Sequence, residues 1–131
     1  MEMAKKKVLI VDDDAEIAEL TRKYLEKKGF EAIAASSGLL GLELLKKEWF
    51  DVLISDISMP DMGGEEFVTK ARGIYPDLVI LLITGYVSFD RTQKARDLGV
   101  HEYLTKPVEL EKLCNSIEQG LKLAQEKRQV R

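Results

Sequence analysis

Asp12, Asp13, Asp56, Thr84 and Lys106 each stand at the carboxyl end of a short apolar run, and their types together suit phosphate chemistry. Clustered carboxylates repel one another, and each rises in pKa if nothing compensates it. A hard divalent cation relieves that repulsion, and Mg2+ takes one or two carboxylates together with waters and phosphate oxygens. Asp12, Asp13 and Asp56 contribute three negative charges, which Mg2+ and Lys106 neutralise between them. A phosphoryl group then meets a neutral pocket with positive charge directed at its equatorial oxygens. Asp56 is the candidate nucleophile, because a carboxylate attacks without a base to take its proton. The single histidine, His101, precedes the last apolar run and is expected at the surface.

Taken one at a time, these residues have ordinary explanations. Aspartates after strands commonly cap helices, and Asp14 is assigned that role for the first helix. Thr84–Gly85 reads as a turn and Lys106–Pro107 as a loop. The set carries the information, because its members are far apart in sequence yet fall at equivalent places in successive units.

The elements that place them follow from the apolar pattern. The runs Val8–Val11, Ala32–Ala35, Val52–Ile54, Leu78–Ile83 and Tyr103–Leu104 show little in/out alternation, as strands covered on both faces do. Between them lie segments of helical period. The first carries Ile17, Leu20, Tyr24 and Leu25 and stops at Gly29; the second is capped at Ser36–Ser37. The third holds Phe67, Ala71 and Ile74 and ends before Pro76. The fourth, about Phe89 to Leu98, has few apolar anchors, and the last carries a stripe from Leu110 to Ala124. Five strands alternating with five helices predict an α/β fold: a doubly wound, open parallel (βα)5 sheet with right-handed crossovers. All strands then point their carboxyl ends at one edge, where ligands bind.

The motifs VLIVDDD, LISDISMPDMGG, LLITG and YLTKP resemble the signature set of response-regulator receiver domains, over about Lys7 to Leu123. The resemblance implies the flavodoxin-like strand order 2-1-3-4-5. It implies that Asp56 is the phosphoacceptor and that Mg2+ is held by Asp12, Asp13, Asp56 and the backbone carbonyl of Ser58. It makes Thr84 and Lys106 the groups drawn to the phosphoryl oxygens, Thr84 and Tyr103 the switch pair, and Lys106–Pro107 a cis peptide. Ser58 and Tyr86 would set the lifetime of the phosphoryl group. The implied partners are a sensor histidine kinase or histidine phosphotransfer protein, and an effector or output domain meeting the face of the fourth helix, fifth strand and last helix. The implied role is a signalling module that catalyses only its own phosphotransfer and autodephosphorylation, alone or within a hybrid kinase or larger regulator. One departure stands out: Gly63 replaces the usual acidic residue before Gly64, which should loosen that loop. A haloacid-dehalogenase-type phosphatase fits poorly, since Glu16 stands where that class carries threonine.

Composition sets the remaining bounds. The chain has 131 residues, 45% hydrophobic and 33% charged, with a net charge of −3, which suits one ordinary domain and argues against nucleic-acid binding. Residues 1–6 read as an N-terminal extension, 7–123 as the receiver unit and 124–131 as an extension of the last helix. The lysines of residues 5–7 read as a solvated end. Cys114, the lone cysteine, lies in an apolar helical pattern and reads as a small buried hydrophobe. No apolar run approaches the ~20 residues of a membrane span, so a reducing cytoplasm is the expected setting. In the second helix the inward stripe reads as Gly38, Gly41, Leu42, Leu45 and Trp49. Leu40 and Leu44 then fall opposite, as an apolar contact site for a partner or for a dimer of this chain.

Overall fold

Successive residues of the central strands feed two separate cores. In a computed structural model describing residues 5–57, 59, 61–85, 93 and 96–130, without the side chains of 128–130, Val8 and Ile10 face one side of the sheet. Leu9 and Val11 face the other. Val52 and Ile54 likewise oppose Leu53, and Val79 and Leu81 oppose Ile80 and Leu82. Both faces are therefore dry, which explains why the runs lack polar alternation. Each such side chain, fully buried, stabilises the fold by ~1.5–3 kcal/mol.

The elements run β1 (Lys7–Val11), α1 (Ala15–Lys27), β2 (Glu31–Ala35), α2 (Gly38–Lys47), β3 (Val52–Asp56), α3 (Gly64–Ile74), β4 (Val79–Thr84), β5 (Glu102–Thr105) and α4 (Leu110–Val130). All strand pairings are parallel and the order is β2-β1-β3-β4-β5, as expected. Helices α1 and α4 cover one face, with Ala18, Leu25, Leu113, Cys114 and Ile117 in the core. Helices α2 and α3 cover the other, with Leu42, Leu45, Phe67 and Ala71. The segment expected as a fourth helix lies mostly outside the described residues, although Gln93, Arg96 and Asp97 are helical.

Helix ends follow the capping rules. Asp14 caps α1, accepting hydrogen bonds from the amides of Glu16 (3.1 Å) and Ile17 (3.2 Å), and Ser37 caps α2 through the amide of Leu40 (3.1 Å). Helix α3 starts after Gly63, which has no side chain to cap it.

Several expectations need correction. Ile17 and Leu20, two of the apolar residues that marked the period of α1, are 44% and 64% exposed; Ala18, Thr21 and Leu25 are the buried positions. Trp49 does not continue the α2 stripe, because the helix ends at Lys47 and Glu48 turns extended. Trp49 is 59% exposed, its ring meets Tyr75 edge-on at 5.2 Å, and its Nε1 donates to Asp51 (3.1 Å). Leu44 is partly buried against the core, so it does not pair with exposed Leu40; Leu39 is the exposed neighbour instead. Lys7 is not simply solvated: it pairs with Glu48 and Glu31 and lies over the Phe50 ring. His101 is half-buried, its ring lying so near Gly120 that a Cβ there would stand 3.1 Å from His101 Cδ2.

At the amino-terminal edge of the sheet one side chain joins two turns. The guanidinium of Arg72, near the end of α3, donates to the carbonyls of Pro76 (3.1 Å) and Leu78 (2.5 Å) before β4. It also donates to those of Leu98 (3.1 Å) and Gly99 (2.7 Å) before β5. Burial lowers its pKa, and carbonyl dipoles stand in for the lost water.

Candidate functional site

The parallel sheet brings the carboxyl ends of β1, β3, β4 and β5 together. Asp12 follows β1 directly, Asp56 closes β3, Thr84 closes β4, and Lys106 follows β5 with its amide 2.7 Å from the Thr84 carbonyl. One carboxylate oxygen from each of Asp12, Asp13 and Asp56 lies within 4.8 Å of the others. Asp12 and Asp56 are buried and Asp13 is exposed, so the cluster opens to solvent on one side.

Lys106 Nζ is 2.6 Å from Asp56 Oδ2. The hydrogen bond to Asp56 raises the lysine pKa; burial opposes this, and Asp12 and Asp13 add to the rise. Asp12 is aimed by the amide of Asp14, 2.9 Å from its Oδ1. Burial pushes the Asp12 carboxyl above its ordinary range, the Asp14 amide and Lys106 oppose that, and Asp56 and Asp13 reinforce it. The cluster thus holds more negative charge than its partners offset. Three oxygen ligands at this spacing, one of them solvated, fit a hard cation that keeps waters in its shell.

Of the other expected residues, Thr84 is buried at the strand end and Tyr103 sits partly buried on β5, opposite Leu82 and against the α2–α3 core. Lys106–Pro107 is cis. Ser58 and Tyr86 lie outside the described residues.

Two features were not read from the sequence. The exposed Ile17 and Leu20 border a groove of about 450 Å³ between α1 and the start of α4, with Pro107 and Val108 on its other wall and Asp56 and Lys106 within its lining. Their helical spacing signalled an apolar stripe, and only the packing shows that it leaves the core. Asp61 is the second: its carboxylate accepts from the amides of Gly38 (3.3 Å) and Leu39 (3.0 Å) at the start of α2. The signal available was weak, namely an α2 first turn without an acidic residue of its own.

Comparisons with known sequences and structures define the family. The family described as the response regulator receiver domain matches residues 8–118. The response regulator protein FleR of Pseudomonas aeruginosa is 37% identical over 111 residues, 85% of this chain but 24% of that protein. Sporulation initiation phosphotransferase F of Bacillus subtilis is 28% identical over 121 residues, 92% of this chain and 98% of that protein. A CheY-like receiver domain protein from Methanospirillum hungatei superposes with a TM-score of 0.91 at 32% identity, covering 95% of this chain and 99% of that one. This chain belongs to the response regulator receiver domain family, and its role is that of a phosphoacceptor signalling module. It spans about a quarter of the length of the first curated relatives it matches. No helix among the described residues is long and apolar enough to cross a membrane.

Proposed function

We propose that Asp56 accepts a phosphoryl group with Mg2+ held by Asp12, Asp13, Asp56 and the Ser58 carbonyl. The observation that carries this reading is the Asp56–Lys106 contact at the centre of the carboxylate cluster. Bound Mg2+ supplies positive charge to the phosphoryl oxygens and offsets the carboxylates. A carboxylate oxygen of Asp56 forms the new P–O bond as the P–N bond of a donor phosphohistidine breaks. The leaving imidazole nitrogen takes the electron pair and then a proton from solvent. Lys106, already beside Asp56, moves to a phosphoryl oxygen, and Thr84 at the neighbouring strand end turns its hydroxyl to another. Hydrolysis later splits the aspartyl P–O bond, releases phosphate and restores the carboxylate; Ser58 and Tyr86 are assigned to set that rate.

The phosphodonor is a sensor histidine kinase or a histidine phosphotransfer protein. The groove bordered by Ile17 and Leu20 suits its approach, since it is apolar and has Asp56 in its lining. The signal leaves through Thr84 and Tyr103 to the face built from the fourth helical segment, β5 and α4, where an effector or output domain meets residues of the 7–123 unit. Incubation with acetyl phosphate and Mg2+, followed by intact-mass measurement, tests the assignment. One added phosphoryl group is expected, lost in Asp56→Asn and on chelation; modification of Asp56→Asn at the wild-type level would refute it.

A further inference from the structure

We propose that Asp61 is a positioning residue for the cation centre, holding the chain that leaves Asp56 against the first turn of α2. The inference rests on reading Asp12, Asp13 and Asp56 as a Mg2+ site and assigns that site an outer support. The stretch between Ile57 and Gly64 is closed at its base: the Ile57 amide donates to Ile83, and the Gly64 amide to Ile57, at 3.0 and 2.9 Å. The two residues are so close that a Cβ on Gly64 would lie 2.6 Å from Ile57 Cα. Ser58, the expected carbonyl ligand, belongs to this stretch.

The far part of the stretch is held by Asp61. Its two oxygens accept from the amides of Gly38 and Leu39, the first residues of α2. These amides have no partner within the helix, and the helix start favours negative charge. Helix α2 has no acidic residue in its own first turn, so Asp61 supplies that charge from across the fold. The Leu39 amide, and then that of Gly38, hold the Asp61 carboxyl below its ordinary range. Met62 packs alongside, its Cβ 3.2 Å from where a Gly38 Cβ would be. At the α3 end Gly63 contributes no side chain. Freeing Asp61 therefore slackens the chain directly after the acceptor, while leaving the three carboxylates in place.

Calorimetric titration of the full chain with MgCl2 separates this role from simple helix capping. Asp61→Ala should raise the Mg2+ Kd about tenfold, the scale of losing an outer-shell partner. Ser37→Ala removes the other side-chain cap from the same helix start. It should lower Tm by about 4 °C with the Kd unchanged. Asp61→Asn keeps the shape and one acceptor oxygen and should fall between wild type and Asp61→Ala; it also serves if the alanine variant fails to fold. A Kd within twofold of wild type in Asp61→Ala, or in Asp61→Asn where the alanine variant does not fold, or an equal weakening in Ser37→Ala, overturns the proposal. A wild type that takes up no Mg2+ overturns the metal site as well, which distinguishes the two failures.

Discussion

Lys106 Nζ sits 2.6 Å from Asp56 Oδ2, pairing a side chain that is 34% exposed with one that is 5% exposed. The carboxylate is buried and the ammonium lies partly in solvent. The lysine can follow the charge from the carboxylate to an incoming phosphoryl oxygen without unburying anything.

Replacing Lys106 with Gln should cost stability in EDTA. A hydrogen bond to a charged group contributes ~1.5–3 kcal/mol, discounted here to about 1 kcal/mol because the lysine is partly solvated. Thermal melts should show a fall of about 4 °C, largely restored by Mg2+. An unchanged Tm in EDTA would mean that the pair contributes nothing.

Asp12→Asn should have the opposite sign without metal. Burial disfavours the Asp12 carboxylate, and Asp56 and Asp13 add repulsion. The neutral isostere should therefore gain ~0.5–2 kcal/mol in EDTA, as relieving a strained site does. Wild type gains about 1.4 kcal/mol at a Mg2+ concentration tenfold above Kd, and the variant should lose that response. A variant less stable in EDTA would contradict the charge argument.

Two glycine substitutions should diverge. A Cβ on Gly120 would lie 2.7 Å from Val79 Cγ1, so Gly120→Ala forces α4 off β4 at a cost of ~1–3 kcal/mol. Gly73 in α3 has nothing within 4 Å, so Gly73→Ala should gain ~0.5–1 kcal/mol from helix propensity. Urea denaturation measures both, and equal signs would refute the packing account.

Asp61 should leave a mark on acid stability. Its carboxyl lies below the ordinary range when folded and near ~3.9 when unfolded. A lowered carboxyl pKa stabilises the fold above the unfolded value, and that contribution is lost as pH falls through the folded one. Between pH ~4 and the folded value, wild type should therefore lose Tm faster than Asp61→Asn. Parallel curves would show that the two amide contacts do not stabilise the ion.

The sheet and its site edge were legible because both depend on short-range signals. Val8–Val11 and Leu78–Ile83 are apolar on both faces, and a polar residue follows each where the strand leaves the core. What escaped depends on distance. Whether Ile17 and Leu20 bury is decided by how far α4 lies from α1, which helical period does not encode. Trp49 misled because the 100° step was carried past the end of α2. Asp61 lies 22 residues from Leu39, and no local rule joins a loop carboxylate to a distant helix start.

Arg72 hydrogen-bonds its two turns through four backbone carbonyls. Other residues at positions 76, 78 or 98 present the same oxygen, so the contact itself asks nothing of side-chain identity there; Gly99, at φ +74°, is the exception. Replacing the arginine would undo all four bonds, while exchanging one of those three partners would undo none. An alignment of relatives would then carry no pairwise covariation for this contact, however much stability it contributes. Insertions are another matter: a residue added between 76 and 78, or beside 98–99, would move a carbonyl out of reach. For this contact alone, the amino-terminal edge should be more sensitive to changes of length than to changes of side chain.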